Sequence, residues 1–379
     1  MSERSERTEP ELPSWSHTGF AQRIHFGVGA LDRLPEAMRE TGARRWLLVT
    51  TPGRLGSTEG ERVVALLGRS LISTFAEVRS HVPTTAVEAA VLQARRDGVD
   101  GVVSFGGGSC ADLGKAVCYF VEQESGAPGA SYVDRPAVAH VAVPTTYSGA
   151  ELTPFFGMTD EAARAKSGAG GPTIAPLAAV YDPALTVSTP ARVSAETGMN
   201  AIAHGVEVAY SPARTPEAEA VGLACVARGA DALPRVVEDP TDLTARSDML
   251  AAAALGGRSL ANATMGVHHG LSQLVGGRTG VAHGLVNAVI LPHAMAFNAE
   301  AVPGPMRRIG AALGDPDDAP AAAARLVERL GLPSRLGECG VEEEDLDAVA
   351  RLSSRSPGVR SNPRPVSEAD ILAILRAAY

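Results

Sequence analysis

The 379-residue chain is short of lysine, aromatic residues and cysteine, and each shortage narrows what it can be. Only two of its 34 basic residues are lysines, Lys115 and Lys166. With 43 acidic side chains the formal charge is −9, so the chain lacks the basic excess that grips nucleic acid or an anionic membrane. No apolar run approaches the roughly 20 residues of a membrane span. The polar start, MSERSERTEPELPSW, has no signal-peptide core. The four cysteines, Cys110, Cys118, Cys225 and Cys339, show no metal or redox spacing, which reads as buried thiols in a reducing compartment. Disorder is excluded too, because 45% of the residues are hydrophobic, enough for an ordinary core. The expectation is a soluble cytoplasmic enzyme acting on a small molecule, with no nucleic-acid or membrane partner. Where lysine survives in so arginine-rich a chain, either a compact ammonium is needed or its survival is chance.

The length is about twice that of one domain, and the character of the chain changes near its middle. Up to about residue 187, short apolar runs alternate with helical patterns. Trp46-Leu47-Leu48-Val49, Val102-Val103-Ser104-Phe105, His140-Val141-Ala142-Val143 and Ala178-Ala179-Val180-Tyr181 read as buried strands. Helices are expected over 61–71 and 111–122. Such alternation implies a parallel sheet with helices on both faces, its nucleotide sites at the carboxyl ends of the strands. From residue 188 to 379 strand signals nearly vanish, and Ala/Leu/Arg stretches such as 217–233 and 243–263 carry a helical period. The fold class is therefore an α/β dinucleotide-binding domain, 1–187, followed by an all-helical domain, 188–379.

Two turns carry phosphate-binding chemistry. Gly106-Gly107-Gly108-Ser109 follows a strand and opens a helix, so the backbone can approach a pyrophosphate and offer it free N–H groups. It is not the usual G-x-G-x-x-G pattern and could be only a tight connection. A second polar turn, Thr145-Thr146-Tyr147-Ser148-Gly149, ends a neighbouring strand and strengthens the reading. Thr50 to Gly53 holds no acidic residue for a ribose 2′-hydroxyl, which admits NADPH beside NADH.

Five of the nine histidines lie between His204 and His293. Asn200 and His204 are four apart on one helix face, and His268, His269 and His283 follow. That pattern suits either a metal site assembled from helices or buried, hydrogen-bonded histidines. A three-histidine site completed by a neutral amide lacks the carboxylate that offsets a divalent charge, so histidines acting as proton donors without metal are equally admissible. His17, His25, His81, His140 and His293 read as structural.

These residues resemble the iron-containing alcohol dehydrogenases, and within them the maleylacetate reductases. The motifs are Gly106 to Ala116 (GGGSCADLGKA), Pro144 to Thr153 (PTTYSGAELT), Tyr181 to Thr186 (YDPALT), Thr197 to His204, and His269 with His283. Phe26-Gly27-Val28-Gly29 resembles the family's first strand and turn, and Asn362-Pro363-Arg364-Pro365-Val366 resembles the ending of maleylacetate reductases. The resemblance implies the dehydroquinate synthase-like architecture, a cleft between two domains, and a homodimer. It places Gly107, Gly108, Ser109, Thr145, Thr146, Leu185 and Lys166 against NADH or NADPH. It places Asn200, His204, His269 and His283 at the catalytic centre, where metal-bearing members have an Asp and three His. Asn in the first position is similar to the maleylacetate reductases, so no metal is expected to be required.

The implied reaction is hydride transfer from NAD(P)H to an oxo-acid or enone, as in maleylacetate going to 3-oxoadipate, with a histidine as general acid. The sequence departs from that group after the paired histidines, reading Gly270-Leu271-Ser272-Gln273 in place of a lysine and a further histidine; Arg278 is the candidate substitute for gripping a dicarboxylate. The rival readings are a metal-dependent aldehyde reductase, including one serving a specialised metabolite, and a catalytically silent cofactor-binding protein.

Overall fold

In the computed structural model the strands are β1 (Arg23–Phe26), β2 (Trp46–Val49), β3 (Leu71–Phe75), β4 (Gly101–Gly106), β5 (Ala139–Pro144), β6 (Phe155–Asp160), β7 (Ala165–Gly170) and β8 (Ala178–Tyr181). Six form one sheet in the order β1-β8-β5-β4-β2-β3, and every pair in it is parallel. The structure describes residues 15, 19, 21–126, 128–163, 165–354 and 356–379, so the polar start up to residue 14 and His17 lie outside the described residues.

β4 and β5 are buried at every position, which is why they read as unbroken apolar runs rather than alternations. Successive residues of β2 face opposite layers. Trp46 and Leu48 pack with Leu34, Met38 and Val63 from helices α1 (Leu34–Thr41) and α3 (Thr58–Leu67). Leu47 and Val49 pack with Val87, Ala90, Leu113 and Val117 from α4 (Thr84–Arg96) and α5 (Gly108–Glu124). The short α2 (Pro52–Leu55) follows β2 at the carboxyl edge of the sheet.

Three local expectations are corrected. The helix expected over 61–71 ends at Leu67, because Gly68 turns the chain at φ 52°, and β3 begins at Leu71. The glycine-turn helix starts at Gly108, three residues before the expected position. β6 and β7, an antiparallel ribbon in which Thr159 pairs with Lys166, were not expected. A ribbon as poor in β-formers as AKSGAG carries no strand signal in its sequence.

The rest is helical: α6 (Ala191–Tyr210), α7 (Pro216–Glu238), α8 (Leu243–Leu260), α9 (Val267–Thr279), α10 (His283–Asn298), α11 (Pro303–Leu313), α12 (Ala319–Arg329), α13 (Glu343–Ser353), α14 (Pro357–Arg360) and α15 (Glu368–Ala378). α6 and α7 meet at Gly205 and Gly222, where a Cβ added to Gly205 would stand 2.5 Å from the Gly222 carbonyl oxygen. The Thr145–Gly149 turn joins the two halves. A Cβ on Gly149 would stand 2.9 Å from Gly257 Cα in α8, and the Tyr147 N–H donates to Thr197 Oγ1 in α6 at 3.3 Å.

Among the described residues no helix is long and apolar enough to cross a membrane. All four cysteines are unpaired; Cys110, Cys118 and Cys225 are buried, whereas Cys339 is partly exposed, contrary to expectation.

Candidate active site

The two polar turns stand side by side at the carboxyl edge of the sheet. A Cβ on Gly107 would lie 3.1 Å from Thr146 Cγ2, and one on Gly108 would lie 2.8 Å from Ser148 Oγ. Glycine is therefore what lets α5 begin so close to the neighbouring strand's end. No side chain caps α5, and its first turn holds no acidic residue, so its positive end is open to an anion. Thr145 and Thr146 are buried, and neither hydroxyl has a hydrogen-bond partner. A buried hydroxyl without a partner is costly and calls for an explanation, which a ligand at this edge would supply. Ser109 is partly exposed on α5. Leu185 is instead buried in the core layer that α1 and α3 form. Arg54 on α2 donates to Ser188 Oγ at 2.6 Å and Thr189 Oγ1 at 2.7 Å.

Facing this edge, α6, α9 and α10 bring the histidines together. The rings of His204 and His269 stack with centroids 4.7 Å apart and planes 21° apart, and His283 lies 6.1 Å from His269. Each ring keeps a buried nitrogen with no partner: Nδ1 of His204, Nε2 of His269 and Nδ1 of His283. Burial pushes all three well down from the usual imidazole range, His269 to about 3. They are neutral electron-pair donors, and two of them can stack without repulsion. Asn200 completes the group; its Oδ1 accepts from Asn287 Nδ2 at 2.6 Å, and its Nδ2 donates to the Ser148 carbonyl at 3.4 Å.

His25, His81, His140 and His293 do not join the cluster. His140 bonds to Ser104 Oγ at 2.8 Å inside the sheet, and burial takes it down to about 3. His81 reaches the Gly280 carbonyl at 3.3 Å from a strained loop in which it and Val82 have positive φ.

The two lysines differ sharply. Lys115 is fully buried and committed to Ala150 O, Thr153 Oγ1, Phe155 O and Asp112, a structural anchor. Lys166 extends from β7 between Gly157 and Gly277, and its charge depresses His269 and His283. Burial lowers its own pKa, against the pull of Asp112. Arg278 Nε is bound to Asp345 on α13 at 2.6 Å, which directs its guanidinium toward that helix.

Glu207 is the residue that the sequence reading missed. It lies fully buried on α6, accepting from the backbone N–H of His268 at 2.9 Å and of His269 at 3.2 Å, with His269 Nδ1 2.7 Å from Oε2. The signal was present: Asn200, His204 and Glu207 are spaced four and three apart, one face of a helix.

Two family profiles match the chain in sequence. The iron-containing alcohol dehydrogenase profile matches residues 21–183, and the C-terminal profile of the Fe-containing alcohol dehydrogenase family matches 194–379. The chain belongs to the iron-containing alcohol dehydrogenase family. It is 36% identical to the maleylacetate reductase of Burkholderia cepacia over 357 residues, 94% of this chain and 95% of that one. The crystal structure of maleylacetate reductase from Agrobacterium tumefaciens matches with TM-score 0.85 and 33% identity, over 97% of this chain and 98% of the other. A 1,3-propanediol oxidoreductase matches with TM-score 0.88 and 28% identity, over 95% and 98%. The protein is thus an NAD(P)-dependent oxidoreductase acting on a small molecule.

The expectation that no metal is required is corrected. The family is an iron-containing one, and Glu207, His268 and His269 bring three atoms of ligand type within 4.8 Å of one another; where these bond to each other, the nitrogens left open to a metal are those of His204, His269 and His283. The residues also fit a metal on their own chemistry, because His204, His269 and His283 present neutral imidazoles with unclaimed nitrogens. Asn200 is no obstacle, since an amide oxygen is an acceptable ligand for a hard cation.

Proposed function

We propose that the protein reduces maleylacetate, or an oxo-acid of the same shape, with hydride from NADH or NADPH at a metal-bearing histidine cluster. The observation that carries this is the convergence of three neutral imidazoles and Asn200 beside two uncommitted threonine hydroxyls and an uncapped helix end. The similarity to maleylacetate reductases over nearly the whole chain supports the substrate.

Gly107, Gly108 and Ser109 hold the pyrophosphate through backbone N–H groups, and Thr145 and Thr146 give their hydroxyls to the cofactor. Leu185 backs that surface from the core, and Lys166 stands beside the ribose with its charge turned toward the histidines. Asn200, His204, His269 and His283 hold the metal. Bound there, a metal supplies a Lewis acid for the substrate's carbonyl oxygen. Hydride adds to the alkene carbon β to the ketone, the C=C electron pair moves into an enolate, and the α carbon then takes a proton from solvent water as the nicotinamide leaves oxidised. Neutral imidazoles are poor acids at these positions, so the general-acid role expected of one of them gives way to electron-pair donation.

We place the division between domains at 187/188, supported by the end of β8 at Tyr181 and the start of α6 at Ala191. We also place the enzyme in the cytoplasm as a homodimer. Four unpaired cysteines support the first. The second is supported by the edge of β1, which among the described residues pairs only with β8; Ile24 and Phe26 on it and Val28 just after it are exposed.

The test is NADH and NADPH oxidation with maleylacetate, before and after chelation, with metal content measured on the same sample. Turnover should fall on chelation and return with ferrous iron or zinc; chelator-resistant turnover would refute the metal. A metal-loaded protein inert on maleylacetate would refute that substrate and favour reduction of a small aldehyde. One observation leans that way: Arg278 Nε is held by Asp345, and a Cβ at Gly270 would meet Ser356 Oγ at 2.9 Å, leaving no room there for a longer side chain that could grip a carboxylate.

A further inference from the structure

His269 shares its Nδ1 with two neighbours, and the positions of the heavy atoms fix where its hydrogen must be. His268 Nε2 lies 2.9 Å from the Asn287 carbonyl oxygen, which can only accept. That nitrogen of His268 therefore carries the hydrogen, and its Nδ1 has the electron pair. His269 Nδ1 stands 3.1 Å from this Nδ1 and 2.7 Å from Glu207 Oε2. Both neighbours accept, because His268 Nδ1 holds the electron pair and Glu207 receives the His268 N–H on Oε1 and the His269 N–H on Oε2. His269 Nδ1 must be the donor, leaving the electron pair on Nε2, the buried nitrogen with no protein partner.

The support is rigid. The residue before α9, Gly266, has no side chain with which to cap the helix, and a Cβ there would stand 2.8 Å from Glu207 Oε1. Capping comes from a distance instead. Glu207 takes two of the first backbone N–H groups, and Asn362 Oδ1 takes that of Val267 at 3.3 Å while exchanging two hydrogen bonds with Asn298. The ring of His269 thus stands on a helix end that α6 and the C-terminal segment hold together.

We infer that Glu207 is a positioning residue that selects the tautomer of His269, keeping the hydrogen on Nδ1 and presenting the Nε2 electron pair to the metal and substrate. The use of that electron pair rests on the function proposed above; the tautomer itself does not, so the two can fail separately.

The first test uses the unaltered protein, metal-free and labelled with nitrogen-15 at histidine, the His269 signals being assigned by their loss in His269→Gln. Protonated Nδ1 with unprotonated Nε2 is the expected result, and the opposite tautomer overturns the inference without any variant at Glu207. The second test is Glu207→Gln, which offers one acceptor oxygen where Glu207 receives three N–H groups on two, and so weakens the hold on the Nδ1 hydrogen. Zinc affinity, measured by competition with a chromophoric chelator, should fall about 10- to 100-fold. Glu207→Asp retains the acceptors on a shorter stem and should bind zinc more tightly than the Gln variant. A role in packing alone would reverse that order, since Gln matches the shape of Glu better, and the reversed order would refute tautomer selection.

Discussion

Thr145→Val separates stability from function at the nucleotide edge. Thr145 is 1% exposed and its hydroxyl has no partner, while its backbone N–H and carbonyl are engaged with Gly106 O and Thr189 Oγ1. Valine keeps the shape and both backbone bonds and removes only the stranded hydroxyl. Leaving a buried hydroxyl unpaired costs about 1–3 kcal/mol, so the cofactor-free variant should be more stable by about 1–2 kcal/mol after imperfect packing. At about 2.1 cal/mol/K per residue, a chain of this length unfolding as one unit gains only roughly 1 °C per kcal/mol. Urea unfolding is therefore the better stability assay. Cofactor binding should move the other way, because the hydroxyl that would have found its partner is gone. A lost hydrogen bond of about 1–1.5 kcal/mol weakens the NADH or NADPH dissociation constant about 5- to 13-fold, read by nicotinamide fluorescence. A variant that binds cofactor as tightly as the parent would refute the role of Thr145; one less stable than the parent would refute the assignment of its hydroxyl as unsatisfied.

Other perturbations test the remaining parts of the site. His204→Ala and His283→Ala should each lose bound metal by elemental analysis and lower kcat about 100-fold or more, with circular dichroism unchanged; full metal occupancy in either would remove that residue from the donor set. Arg278→Ala breaks only a half-buried ion pair on α13, so it should cost about 1 kcal/mol or less and leave kcat/KM unchanged. A large rise in KM would instead make Arg278 a substrate ligand. Burial raises the Cys110 and Cys225 thiols to about 12 and raises Cys118 as well; Cys339, partly exposed, rises to about 11. At pH 8 a thiol reagent should therefore label Cys339 first and slowly, and all four only on unfolding; rapid labelling of Cys110 would show that the glycine turn opens.

How much was legible in the sequence depended on whether the signal was local. β4 and β5 could be read because a strand buried on both faces has to be apolar throughout, whereas β3 and the β6–β7 ribbon could not, being partly exposed and so without a continuous apolar run, with β7 (AKSGAG) also poor in β-formers. The glycine turn could be read because close approach to α5 demands glycine at Gly107 and Gly108, and the polar turn beside it announces itself by composition. Asn200 and His204 could be paired through their helical spacing. Lys166 was notable by rarity alone, and Lys115, equally rare, is a buried anchor.

By itself, then, the sequence determined the fold class, the position of the two polar turns and the helical pairing of Asn200 with His204, because strand burial, glycine turns and helical periodicity are local properties of a chain. Only the tertiary structure decided the use of each group. It bound Arg278 to Asp345, left Thr145 and Thr146 without partners, and set Glu207 against His269 from a different helix. It also holds the histidines below the usual imidazole range by burial and gathers ligand-type side chains, against the expectation that no metal is required. The reason is physical: whether a side chain is charged, satisfied or free depends on burial and on partners contributed by other elements, and neither is written in the spacing of residues along one segment.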